Sequence, residues 1–262
     1  MKGRLRELVA RSEVSYGCFI TLSDPAVVEV AAIVGYDFVI IDLEHGAIGI
    51  ETLCNHLRAA ESRNLGTLVR VRSANAWDVL PVLEAGAQGV LVPHVYDEEA
   101  ARRAAAAVRY APLGQRGVYD AVRAGDYGLR VDGGYRALTD SANERMVLAV
   151  LIEDGEGIAN AERIVAVPGV DVVLVGPADL SYSLGLGGTV GHPEVVAAIH
   201  QVRDICAKQG VLFSVPPDHD VCPISSEVLR AWGVRLIMRG SDTNALSQGM
   251  GMRLERMRGS RG

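Results

Sequence analysis

The sequence predicts a (β/α)8 barrel of the TIM type in a single domain over residues 1–262. Eight short apolar, β-branched runs recur along the chain, with segments of helical spacing between them. The runs are continuous rather than alternating in polarity, which suits parallel strands covered on both faces. Eight such repeats in about 250 residues match a closed barrel ringed by helices. A doubly wound open sheet is the alternative, because periodicity does not report closure. No dinucleotide fingerprint supports it, since the glycines of "SLGLGGT" (183–189) follow no strand directly.

The expected strands, in order, are "GCFITL" (17–22), "DFVIID" (37–42), "GTLVRV" (66–71) and "QGVLVP" (88–93). The second half supplies "VLAVLIE" (147–153), "DVVLVG" (171–176), "GVLFSV" (210–215) and "VRLIMRG" (234–240). Helical spacing marks "PAVVEVAAIVG", "IETLCNHLRAAESRN", "NAWDVLPVLEAG", "DEEAARRAAAAVRY", "HPEVVAAIHQVRDICAKQG" and "TNALSQGMGMRLERMR". Gly35, Gly86 and Gly210 close three of these, as a left-handed residue often does at a helix end. One interval, 111–146, exceeds what a helix needs and reads as an active-site loop with one or two short helices.

Composition narrows the function. A hydrophobic content of 49% with 22% charged residues suits a compact fold with a sizeable core. A net charge of −6 leaves no cationic excess to offset nucleic-acid phosphates. No run reaches the roughly 18 apolar residues a membrane span requires, and the charged N-terminus "MKGRLRELVARSE" lacks a signal-peptide core. Cys18, Cys54, Cys206 and Cys222 are scattered without disulfide or metal spacing. They read as free thiols, and the protein as cytoplasmic.

In a barrel of this type the chemistry gathers where strands end. Ionisable residues collect there: Asp42, Glu44 and His45 after the second run, Arg70 in the third, and Pro93 with His94 after the fourth. Glu153 closes the fifth and Asp179 follows the sixth in "GPADLS". A carboxylate after six apolar residues needs a partner or a metal. Glu153 and Asp179, one βα unit apart, form a hard oxygen pair suited to Mg2+ or Mn2+, with Co2+ able to substitute. A neighbouring arginine is the alternative partner for Glu153. His45 suits a general base, since imidazole titrates near neutrality; a hydrogen-bonded loop histidine is the plainer reading. Arg70 suits a carboxylate or developing oxyanion, or an interior ion pair with Glu44 or Glu153. Gly176, Pro177, Ala178 and Asp179 open a turn whose free N–H groups suit a substrate carboxylate.

The motifs "DFVIIDLEHG", "VLEAGAQGVLVPHV", "RYAPLGQRG", "IEDGEGIANAERIVAVPGVDVVLVGPADLS" and "HPEVVAAI" resemble the HpcH/HpaI aldolase family over roughly residues 15 to 205. The resemblance implies a metal-dependent pyruvate aldolase that cleaves a 4-hydroxy-2-oxo acid to pyruvate and an aldehyde. It implies a homo-oligomer, trimer or hexamer, with the C-terminal helix exchanged between subunits. It assigns Glu153 and Asp179 to Mg2+, Mn2+ or Co2+, which stabilises the enolate. His45 becomes the base and Arg70 the enolate-stabilising group, and the Ala178–Asp179 backbone holds the pyruvate carboxylate. Glu84, from the next subunit, tunes the histidine. Two positions depart from the family pattern. Leu151 stands where a substrate-contacting Gln is usual, and Asp154–Gly155 replaces a Thr-Arg-like pair. "SVPPDHD" (214–220) is also unusual, and Asp218 and His219 suit either the site mouth or a helix cap. An oxaloacetate-type decarboxylase or related enolate C–C bond enzyme is the alternative activity, and a non-catalytic binding barrel the alternative class.

Overall fold

The computed structural model describes residues 3–129, 133–189 and 191–259. All eight expected runs are strands. The order is α1 (Arg4–Ala10), β1 (Ser15–Ile20), α2 (Ala26–Val34), β2 (Phe38–Asp42), α3 (Ile50–Ser62), β3 (Gly66–Arg70), α4 (Ala76–Glu84) and β4 (Gly89–Val92). Then come α5 (Glu98–Val108), a 3-10 segment (Arg123–Gly128), α6 (Gly134–Arg145), β5 (Val147–Ile152), α7 (Gly155–Val165) and β6 (Val172–Val175). The chain continues through α8 (Pro177–Ser183), α9 (Pro193–Gln209), β7 (Leu212–Ser214), α10 (Ser226–Ala231), β8 (Leu236–Ser241) and α11 (Asp242–Arg258).

The strands are parallel in the order β7-β6-β5-β4-β3-β2-β1-β8, so β1 pairs with β8 as well as β2. The remaining seam, between the three-residue β7 and β8, is bridged by the Ser214 hydroxyl, which donates to the Leu236 carbonyl at 2.7 Å. The result is a nearly closed (β/α)8 barrel.

Alternation along each strand feeds two cores. Ile41, Val69, Val90 and Val150 face outward to the helices, while Phe38, Ile40, Leu68, Leu91 and Leu174 fill the barrel. Leu5 and Leu8 of α1 close the floor of that interior. The Arg6 guanidinium forks onto Asp171 there, at 2.6 and 3.1 Å, and fastens the plug. The Phe38 ring fits because its neighbours lack side chains: a Cβ at Gly17 would lie 2.5 Å from it.

The interval 111–146 corrects an expectation. It follows α5 rather than β4, so it lies at the N-terminal ends of the strands, away from the βα loops. Its residues line a cavity with Thr67 and Gln88, both near strand beginnings. Length alone signals an insertion; its place relative to the helix decides which face it serves. Residues 130–132 of it lie outside the described residues.

Candidate active site

Strand register assembles the site. Pairing of β2 with β3 sets Asp42 against Arg70, and pairing of β5 with β6 sets Ile152 against Val175, so Glu153 emerges beside Gly176. Arg70 Nε and Nη2 fork onto the Asp42 carboxylate at 2.9 and 2.7 Å. Nε also lies 3.2 Å from Glu44. The guanidinium sits 5.0 Å over the Phe19 ring.

Burial alone would raise the Asp42 carboxyl. The hydrogen bonds and charge of Arg70, with the His45 and Glu44 N–H groups, outweigh it and hold the carboxyl below its ordinary range. Those N–H groups donate to Asp42 Oδ1 at 3.3 and 3.1 Å, winding the chain into the turn that carries His45. Gly46 completes that turn, where a Cβ would lie 2.3 Å from the Asp42 carbonyl oxygen. Asp42 therefore shapes the turn and anchors Arg70, and Glu44 is the carboxylate near His45, at 3.8 Å. The His45 side chain is 67% exposed and lines the cavity mouth, free to meet a substrate.

Glu153 is buried. Burial pushes its carboxyl up; the His94 N–H and charge oppose this, and the negative charges of Asp179 and Glu44 add to it. Such a group gains from a cation. Glu153 and exposed Asp179 both line the cavity. Among the described residues no group of three His, Cys, Asp or Glu side chains could hold a metal. Two carboxylate ligands leave positions for water and substrate oxygens, as Mg2+ or Mn2+ prefers, so the donor set fits the expected ion.

His94 has no assigned role in the sequence reading, yet it joins two of these groups. Its Nε2 lies 3.0 Å from Glu44, its Nδ1 2.9 Å from Glu153, and its backbone N–H donates to Glu153 at 2.9 Å. A positive φ of 54° turns it there, a conformation uncommon for non-glycine residues and enriched in histidine. The available signal is an ionisable residue directly after the fourth strand.

The cavity measures about 410 Å3. Gly176, Pro177 and Ala178 form one wall, and α8 begins there without a side-chain cap, so its first N–H groups remain available to a ligand. Leu151 lines the floor. The far wall carries Pro216, His219 and Arg239. His219 Nδ1 accepts from the Val221 N–H at 3.1 Å, which leaves Nε2 as the proton-bearing nitrogen. Burial lowers the His219 pKa, against Asp220 and Asp179 and with Arg239. Asp218 pairs with Arg239 at 3.4 Å. Asp154 is a helix cap, accepting from the Gly157 N–H at 2.6 Å. Glu84 is not among the cavity residues; it ends α4, where its charge bears on Arg116 and Tyr110.

The family model for HpcH/HpaI aldolase/citrate lyase matches residues 15–248. A hydroxypyruvate/pyruvate aldolase of Paraburkholderia phytofirmans is 35% identical over 221 residues, 82% of either chain. A 5-keto-4-deoxy-D-glucarate aldolase of Shigella dysenteriae is 32% identical over 241 residues, 91% of this chain and 90% of its own. A crystal structure of a family protein from Burkholderia cenocepacia superposes with a TM-score of 0.89 at 31% identity, covering 98% of this chain and 100% of that one.

Proposed function

This chain belongs to the HpcH/HpaI aldolase/citrate lyase family, and we propose that it is a divalent-metal-dependent pyruvate aldolase with Glu153 and Asp179 as metal ligands. It is a carbon–carbon lyase that reversibly cleaves a 4-hydroxy-2-oxo acid to pyruvate and an aldehyde. The observation that carries the reading is the buried Glu153 carboxylate facing the same cavity as Asp179, Arg70 and His45.

The N–H groups of Ala178 and Asp179 hold the substrate carboxylate against the Gly176–Pro177 wall. Arg70, fixed by Asp42, points its remaining N–H groups toward the 2-oxo oxygen. His45 takes the proton of the 4-hydroxyl as the C3–C4 bond breaks, and the electron pair of that bond moves toward the C2 oxygen. Arg70 stabilises the charge arriving there, and a proton delivered to C3 completes pyruvate. Glu153 and Asp179 would hold Mg2+, Mn2+ or Co2+, which when bound would supply Lewis-acid stabilisation of the developing negative charge. Glu84 of a neighbouring copy tunes His45 in a homo-oligomer, trimer or hexamer, acting in the cytoplasm. The exposed apolar residues of α11 support the assembly. Four free cysteines support the reducing compartment.

Pyruvate release from a panel of 4-hydroxy-2-oxo acids, with each metal against EDTA, tests the reading. Metal-dependent release abolished by Glu153→Ala is expected. A folded protein that releases no pyruvate with any metal would end it. Leu151 favours a second reading, because an aliphatic floor removes a polar contact worth on the order of 1 kcal/mol and alters which acid fits. Oxaloacetate in the panel, with CO2 and aldehyde measured separately, distinguishes decarboxylation from aldol cleavage.

A further inference from the structure

At the opposite end of the barrel, the segment after α5 encloses a cavity of about 70 Å3 whose lining is electrically unbalanced. Arg116, Arg123 and Arg145 face it, with Glu61 the one carboxylate among the lining residues. Glu61 is already paired with Arg123. Among the described residues, neither Arg116 nor Arg145 has a carboxylate within 4.0 Å.

Arg116 is the sharper case. It is only 8% exposed, its guanidinium lies 4.4 Å over the Tyr110 ring, and its Nε finds no acceptor. A guanidinium does not discharge by losing its proton, so the buried charge persists and is costly without a counter-ion. Thr67, 1% exposed on β3, lines the same cavity with its hydroxyl also unpartnered. Glu84 offsets the Arg116 charge only from beyond 4.0 Å, and water would satisfy the two donors without adding negative charge against the three arginines. A small anion rich in acceptor oxygens does both. The volume corresponds to about five water-sized spheres, which admits a phosphate, a sulfate or a short carboxylate and excludes a nucleotide.

We propose that this cavity is an oxyanion-binding site, with Arg116, Arg145 and the Thr67 hydroxyl as its donors. This cavity and that of the candidate active site share no lining residue. The oxyanion ties β3 to the 111–146 segment, three residues before Arg70 in the chain.

Thermal unfolding of the full-length protein, in phosphate, acetate or chloride at matched ionic strength, is the first arm. Phosphate is expected to raise Tm by several degrees over chloride. An equal response to acetate extends the ligand class to carboxylates, and a phosphate-only response confines it to tetrahedral anions. Arg116→Met and Arg145→Gln should each weaken phosphate binding at least tenfold by calorimetry. If Arg116→Met does not fold, Arg145→Gln carries the test. The second arm is a selenate-soaked crystal, in which an anomalous peak is expected between Arg116 and Thr67. Equal Tm in phosphate and chloride, unweakened phosphate binding in the folded variants, or water alone in the cavity at saturating selenate would overturn the proposal.

Discussion

Arg70 and Asp42 show how one ion pair does two jobs. The fork at 2.9 and 2.7 Å buries a cation at the end of β3 and keeps it aimed at the cavity. Removing one member strands the other, at a typical cost of about 3–5 kcal/mol. Arg70→Met should lose that much by urea unfolding, and the double variant with Asp42→Asn should lose less than the sum. Arg70→Lys keeps the charge but not the fork; kcat should fall by roughly a hundredfold, the scale of one lost oxyanion donor. Glu153 makes the opposite case. Its folded pKa is raised chiefly by burial, so the folded state binds the proton more tightly than the unfolded one. The stabilising contribution is then complete below the ordinary value of 4.5 and fades as pH climbs through the raised one. Glu153→Gln should therefore be inactive yet, in EDTA, more stable than the parent at pH 8, with the gap closing toward pH 5. Paired urea midpoints across that range measure it, and a gap independent of pH would show that burial does not raise this carboxyl.

At the level of the elements, the strands were the most legible part of the sequence. A strand buried on both faces has to be largely apolar, and β2, β4, β5 and β6 are buried along their whole length, whereas the end of β8 is exposed at Arg239 and Gly240. The same logic exposes the ionisable residues that follow, which is why Asp42, Glu44, His45, Glu153 and Asp179 stand out. What did not show was backbone geometry. The positive φ that swings His94 between two carboxylates has no marker in "VPHV". The placement of 111–146 on the far face depends on where α5 ends. Glu84 is legible only through resemblance, because the surroundings it meets within one chain are Arg116 and Tyr110. Two substitutions separate scaffold from site. Asp154→Ala removes the α7 cap and should cost about 1 kcal/mol, leaving pyruvate release within a few fold. Gly176→Ala places a Cβ 3.0 Å from both Glu153 Cβ and Oε2, so the carboxylate must shift by a few tenths of an ångström. Its Tm should barely move while kcat falls about tenfold, the expected cost of a modest misplacement. Equal kinetic effects in both variants would mean that Gly176 does not set the position of Glu153.

The whole molecule leaves one helix without a function inside a single chain. α11 is anchored at its start, where Asp242 accepts from the Thr21 hydroxyl and from the Thr21 and Leu22 N–H groups. Ser241 and Asn244 form a capping box there. No residue of α11 is buried, although Leu246, Met250, Leu254 and Met257 recur at helical spacing and are all exposed. An apolar stripe of that length is out of place facing water. Across the groove beside it, Val30 and Val34 of α2 are exposed as well. A second copy of the chain, covering the stripe, would resolve both features. Light scattering should accordingly return a trimer or hexamer. Leu246→Glu combined with Met250→Glu should dissociate it to monomers whose circular dichroism stays native, because neither residue is part of the barrel core. If Glu84 acts across the interface, those monomers and the assembled Glu84→Gln variant should show the same altered pH profile of pyruvate release. A parent protein that is monomeric and fully active would remove both the assembly and the role of Glu84, while leaving Glu153, Asp179, Arg70 and His45 as a site complete within one chain.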